Sequence, residues 1–238
     1  MAYGVLALAR PTFDVPYAEE MAAKAFARID EAGLKTVGPR GLLFDAAAAR
    51  EAAEALKGQR LDGLLLLQVT FTDASMTLEL AKAIDAPLAI WAFPEPRSGG
   101  RLRLNSFCGL NLASHALGRA GVPMAYLYQS PDMALPAGGV AAFAASPAPA
   151  VGAFDGASVS ASDQARASAA LSGLKGRRIG LVGEHPAGFD TCRFDEAELT
   201  SLAGIAIDRI ALGDLFRRSA AAPADAVAAR RGAVAGLK

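Results

Sequence analysis

Five short strand-like runs punctuate this chain, four of them largely apolar: residues 3–9, "LDGLLLLQV", "PLAIWAF" and "VPMAYLYQ", with the more mixed "LKTVG" second in order. A strand that alternates apolar and polar residues needs a core on one side only. Runs that are apolar at every position must be covered on both faces, the condition of a central strand in a parallel sheet. Between them lie longer Ala-rich segments with apolar residues at helical spacing. The first opens at Pro16, carries Met21, Ala25, Phe26 and Ile29, and stops at Gly33. Asp45 caps a second that ends at Gly58, Asp73 caps a third around Met76, Leu80 and Ile84, and residues 106–121 form a fourth. The alternation predicts an α/β fold: a doubly wound parallel sheet of five strands with helices on both faces, Rossmann- or flavodoxin-like.

Residues 131–158 break the pattern, being rich in Ala, Gly and Pro with almost no charge. The alternation then resumes with a helix around 163–174, the strand "RRIGLVG", a Pro-Gly loop, the helix "FDEAELTSLAG", the strand "IAIDRIAL" and Ala-rich helical sequence up to Lys238. The expected organisation is a first α/β domain at 1–132, a crossing segment at 133–158 and a partial second α/β domain at 159–238. Two strands are too few to cover their helices, so apolar surface is expected near the C-terminus, and with it self-association or a partner chain.

Charge narrows the function. Lys plus Arg and Asp plus Glu number 24 each, so neither nucleic acid nor an anionic membrane surface is indicated. No apolar run approaches the roughly 18 residues of a spanning helix, and "MAYGVLALARPTFD" has no basic n-region, so a cytoplasmic protein is expected. Cys108 and Cys192 lie far apart and fit no metal spacing, as reduced thiols would. "GLVGEHPAG" is not the G-x-G-x-x-G fingerprint, and neither a phosphate loop nor a G-x-S-x-G elbow occurs. Two histidines are few for acid–base chemistry, although carboxylates can do that work.

In open α/β sheets ligands sit beyond the carboxyl ends of the strands. Arg10, Thr12 and Asp14 follow the first strand; Thr70, Phe71, Thr72 and Asp73 the third; Glu95, Arg97, Arg101 and Asn105 the fourth; Gln129 the fifth; and Glu184, His185 and Asp190 the first strand of the second module. The connection within "IWAFPEPRSGGRLRLNSFCGLN" is longer than the usual two to six residues. Its amide, carboxylate and guanidinium groups, with the neighbouring hydroxyls, suit a polyhydroxylated ligand. Plainer roles stand beside these: Asp73 and Asn105 as helix caps, Arg97 and Arg101 as solvated side chains, Trp91 as core. Arg10 is harder to dismiss, because a guanidinium directly after an apolar strand needs a partner.

Three stretches together resemble the N-terminal half of the L-fucose isomerase family, related in architecture to L-arabinose isomerase. They are "ALARPTFD"; the span from "DGLLLLQVTFTDA" through "PLAIWAFPEPRSGGRLRLNSFCGLNLASHALGRAGVPMAYLYQ"; and "RRIGLVGEHPAGFDTCRFDEAELTSLAGIAIDRIALGDLF". The resemblance implies an aldose–ketose isomerase that uses Mn2+ at a subunit interface. Its metal ligands, two carboxylates and a histidine, lie in the later half of the family sequence, beyond the end of this chain. Arg10 matches the family's substrate-contacting arginine. Phe71, Thr72 and Asp73 match the loop that reaches a neighbouring subunit's sugar, with Phe71 where the family aromatic can be Trp. Glu95, Arg97 and Asn105 complete the expected substrate-binding set, with no catalytic residue, metal ligand or cofactor in this chain. The implied function is the N-terminal region of a sugar isomerase, inactive alone, with a small-molecule sugar as ligand. Its partner is a second copy or a chain carrying the catalytic half, not nucleic acid or membrane. A non-catalytic sugar-binding or regulatory protein and one half of a split isomerase remain as alternatives.

Overall fold

The computed structural model describes residues 2–136, 159–186 and 188–236. The chain divides into two units, Met1–Gly152 with Ala187–Cys192, and Ala153–Pro186 with Arg193–Lys238. Most of the crossing segment expected at 133–158 lies outside the described residues.

The first unit runs β1 (Tyr3–Leu8), α1 (Val15–Glu31), β2 (Thr36–Val37), β3 (Leu42–Leu43), α2 (Ala46–Leu56), β4 (Gly63–Gln68), α3 (Ser75–Ala83), β5 (Leu88–Ala92), α4 (Ser106–Arg119) and β6 (Met124–Tyr128). All pairings are parallel, in the order β2-β1-β4-β5-β6, with β3 also on β1. The sheet therefore has six strands, not five. The expected second strand is two short ones in succession, Thr36 and Val37 opposite Tyr3 and Gly4, then Leu42 and Leu43 opposite Ala7 and Leu8. Pro39, between them, has no N–H to give a ladder. Gly38, at φ +116°, approaches so closely that a Cβ there would lie 3.0 Å from the Val5 carbonyl.

Strands β1, β4 and β5 are buried on both faces because alternate residues meet different helices, whereas β6, expected to be covered likewise, is an edge strand with Tyr126 and Tyr128 exposed. Val5, Ala7, Leu65, Leu67, Ala89 and Trp91 pack with Met21, Ala25, Phe26 and Ile29 of α1. Leu6, Leu8, Leu64, Leu66, Leu88 and Ile90 face α2, α3 and α4, including Ala49, Ala52, Met76, Leu80, Leu110 and Leu117. Each such leucine contributes about 1.5–3 kcal/mol relative to exposure. The chain leaves β1 for one side of the sheet and returns to β4 on the other, so the switch point lies between their carboxyl ends.

The exit from β6 is fastened to the first face. Trp91 Nε1 donates to the Gln129 carbonyl at 2.9 Å, Arg28 Nε to the Pro131 carbonyl at 3.1 Å, and Lys24 pairs with Asp132 at 3.0 Å. Hydrogen bonds to Glu20 first, then Asp132, push Lys24 up to about 12 from 10.5. A lysine raised on folding stabilises fully below its unfolded pKa and loses that contribution as pH rises through the folded one. The small destabilisation expected in Lys24→Met at neutral pH therefore shrinks between pH 10.5 and 12, checked by urea unfolding across that range.

The second unit holds α5 (Ala161–Leu174), β7 (Arg178–Val182), α6 (Glu196–Ala203), β8 (Ala206–Ile210), α7 (Leu212–Ala220) and α8 (Ala224–Val234), with β7 and β8 paired in parallel. None of these four helices has a buried residue, and Ile205 is the unit's one buried side chain among the described residues. On α7, Leu212, Leu215 and Phe216 share an exposed apolar stripe. Among the described residues no helix is long and apolar enough to cross a membrane. Cys108 and Cys192 are free and exposed.

Candidate functional site

Three loops at the carboxyl ends of β1, β4 and β5 are tied to one another. Arg10, just past β1, donates its backbone N–H to Thr70 Oγ1 at 2.8 Å, and its guanidinium pairs with the Asp73 carboxylate. Asp73 also accepts the Ser75 N–H at 2.9 Å and the Ser75 hydroxyl. It is not the helix cap expected: Ala74 holds that position and Asp73 stands one residue earlier, turned to Arg10. The Asp73 side chain is 11% exposed and that of Arg10 35%. A guanidinium carries five donors, so pairing with one carboxylate leaves others to face a ligand.

The β4 loop is braced from below. Gln68, fully buried, donates through Nε2 to the Thr70 carbonyl at 2.7 Å and to Thr72 Oγ1 at 3.0 Å. A Cβ on Gly109 of α4 would lie 2.8 Å from that nitrogen, so the bracing needs glycine in the helix. Phe71 lies between two other rings, 6.2 Å from Phe13 and 5.6 Å from Phe189. Phe189 belongs to the short segment 187–192, which in sequence falls between β7 and α6 yet packs in the first unit. There Gly188, at φ +81°, accepts the Ala74 N–H at 3.4 Å, and a Cβ on it would lie 2.9 Å from Asp73 Oδ1.

The long β5–α4 loop is closed on itself by Glu95. Its carboxylate accepts the backbone N–H of Arg103, of Leu104 at 3.1 Å and of Asn105 at 2.9 Å. Asn105 occupies the cap position of α4 at φ +51°, with no capping bond from its side chain. Ser106 Oγ accepts the Phe93 N–H at 2.9 Å and donates to the Gln68 carbonyl. The loop meets its neighbours through Phe71 N–H to the Leu104 carbonyl at 2.7 Å and Asp14 N–H to the Arg103 carbonyl at 3.1 Å. Arg103 Nε binds Asp14 at 2.8 Å, and its guanidinium lies 3.7 Å from the centre of the Tyr17 ring. The Arg103 hydrogen bond, then that of the Tyr17 N–H, hold the Asp14 carboxyl below the usual carboxylate range.

Of the residues singled out from sequence, Arg10 and Asp73 meet directly, Phe71 adjoins them, and Glu95 and Asn105 join the same cross-linked loops. Thr72 and Glu95 spend their oxygens on internal bonds. Arg97 is exposed, with no partner among the described residues. Gln68, Gly109, Gly188 and Phe189 were not anticipated. Their signals were slight: an amide closing an all-leucine strand and isolated glycines in a helix and a loop. A larger groove of about 520 Å³ lies against α2, but its lining, mostly Ala, Leu, Gly and Pro, has little to orient a polyol.

The donor set does not fit Mn2+. Asp14, Asp73 and Glu95 are each held by a guanidinium or by backbone N–H groups. Among the described residues no three His, Cys, Asp or Glu side chains stand together to hold a metal ion.

Fold and site define a doubly wound α/β domain with a polar, arginine-bearing edge at its switch point. The chain belongs to the fucose/sulfoquinovose isomerase family, whose N-terminal domain matches residues 4–142. It is 26% identical over 216 residues to the sulfoquinovose isomerase of Priestia aryabhattai, covering 91% of this chain and 44% of that protein. The sulfoquinovose isomerase of Priestia megaterium gives the same figures. That of Alkalicoccus urumqiensis is 29% identical over 162 residues, 68% of this chain and 32% of that protein. The chain thus spans less than half the length of the curated relatives it matches.

Proposed function

We propose that this chain is the N-terminal region of an aldose–ketose isomerase, supplying one wall of the sugar cleft and subunit-interface surface, while further sequence or a partner chain supplies the metal-binding catalytic part. The observation that carries this reading is Arg10, held at the switch point by Asp73 and Thr70 with part of its guanidinium open to solvent. Its work is to bind and orient: planar N–H donors grip a hydroxyl or carbonyl oxygen of an open-chain sugar, and Asp73 fixes their direction. The near-absence of buried side chains among the described residues of the second unit supports the same reading, because a two-stranded parallel sheet needs more layers to cover its helices. The complete protein acts in the cytoplasm on a small sugar, as an oligomer.

A coupled assay for ketose formation with Mn2+ and a saturation-transfer NMR screen of pentoses and hexoses test the proposal together. The expected result is no turnover by this chain and weak sugar binding, reduced at least about tenfold, some 1.4 kcal/mol, by Arg10→Ala. Arg10→Lys, which keeps the charge but not the fork, falls between. Metal-dependent turnover by this chain alone would overturn the division of labour, and absence of sugar binding would overturn the cleft.

A further inference from the structure

Both partners of Arg10 stand in one short stretch of chain. Its backbone N–H goes to Thr70 Oγ1 at 2.8 Å and its guanidinium to the Asp73 carboxylate. Gln68 holds that stretch from the core side, through Nε2 to the Thr70 carbonyl at 2.7 Å and to Thr72 Oγ1 at 3.0 Å.

The amide occupies a place where the pattern of β4 calls for another leucine. Leu64 and Leu66 pack on the face covered by α2, α3 and α4, and Gln68 follows them at the same period, fully buried and opposite Leu8. Its Oε1 has no hydrogen-bond partner among the described residues. A buried acceptor left unmade costs stability, so packing alone favours leucine or methionine here. What the amide adds is two N–H donors, and both go to the loop that holds Arg10. Turned over, it would set Oε1 against the Thr70 carbonyl, acceptor to acceptor.

Helix α4 gives the amide its seat. Ser106 donates its hydroxyl to the Gln68 carbonyl, and a Cβ on Gly109 would lie 2.8 Å from Nε2 and 3.0 Å from Cδ. Glycine disfavours a helix interior, and at this position what it supplies is room for the amide.

We infer that Gln68, seated against Gly109, is a positioning residue for Arg10, acting through Thr70 and Thr72 and touching no ligand itself. The inference rests on the sugar-cleft reading for its purpose, but the positioning is measurable with no sugar present.

The test uses two variants that reach the amide from opposite sides. Gln68→Met keeps the length and removes the donors. Gly109→Ala keeps Gln68 and crowds its amide, while alanine itself favours the helix. Amide hydrogen exchange is read in each, with the 15N–1H signal of Arg10 Nε, assigned by its absence in Arg10→Ala. The Arg10 backbone amide is expected to exchange about tenfold faster than in the wild type while that of Leu66 in β4 changes little, and the Nε signal is expected to move. Glucose binding, followed by saturation transfer, should weaken in both variants, and no further when Gln68→Met is added to Arg10→Ala. Should one variant not fold, the other decides; failure of both would make Gln68 a structural residue and overturn the inference. Arg10 signals unmoved in both variants would overturn it, as would exchange that rises equally at Arg10 and Leu66, the mark of a general loss of stability. So would Gln68→Met weakening glucose by the same factor with and without Arg10. If the wild type binds no sugar while the Arg10 signals move as expected, the cleft reading falls and the positioning stands.

Discussion

Trp91→Ala is expected to lower the stability of the first unit by about 3–5 kcal/mol, the range for emptying a large aromatic from a closed core. Trp91 is the chain's one tryptophan and is fully buried. It packs edge-on to Phe93 with centroids 5.6 Å apart and an interplanar angle of 83°. Its indole N–H also holds the Gln129 carbonyl at 2.9 Å, just past β6. Alanine would leave a cavity and deprive that carbonyl of its donor, and domains hold only about 5–15 kcal/mol in reserve. Trp91→Phe refills much of the space and loses mainly the hydrogen bond, so about 1–2 kcal/mol is expected. Urea denaturation followed by circular dichroism separates the two. A loss below about 1 kcal/mol for the alanine variant would mean that this face is not close-packed.

Trp91 also shows what was legible before the structure. Runs such as "GLLLLQ" and "LAIWA" declare central parallel strands because nothing else buries both faces of a short apolar segment. Two-residue pairings lie below what periodicity can resolve, which is why β2 and β3 read as one strand. At the candidate site, Arg10 stood out for an energetic reason, the need of a guanidinium for a partner after an apolar strand, and the Asp73 carboxylate answers that need.

Glu95 and Thr72 show the limit of such reading. Sequence can place a polar side chain at the ligand edge, but whether it meets a ligand or the protein's own backbone depends on loop geometry. The contribution of Gly188 and Phe189 was hidden for another reason. They lie in sequence between elements of the second unit, and nothing local marks a segment that packs elsewhere.

Glu95 gives the sharpest test of that limit. Glu95→Ala is expected to destabilise the first unit by about 2–3 kcal/mol, because three backbone N–H groups lose a charged acceptor together. Glu95→Gln should be nearly as damaging despite its matching size. Oε1 serves Arg103, Oε2 serves Asn105, and Leu104 lies within reach of both. An amide offers a single acceptor oxygen and turns an N–H donor toward N–H donors. Without the staple Asn105, at φ +51°, loses the acceptor of its N–H and one of the bonds that hold it in a left-handed conformation. Residues 96–104 should then show fast backbone motion in 15N relaxation. If Glu95 instead touched the sugar directly, Glu95→Gln would weaken binding while unfolding and loop order stayed at wild-type values. Parallel urea unfolding, 15N relaxation and sugar titration of that one variant decide between an acid that recognises a ligand and one that shapes the loop that does.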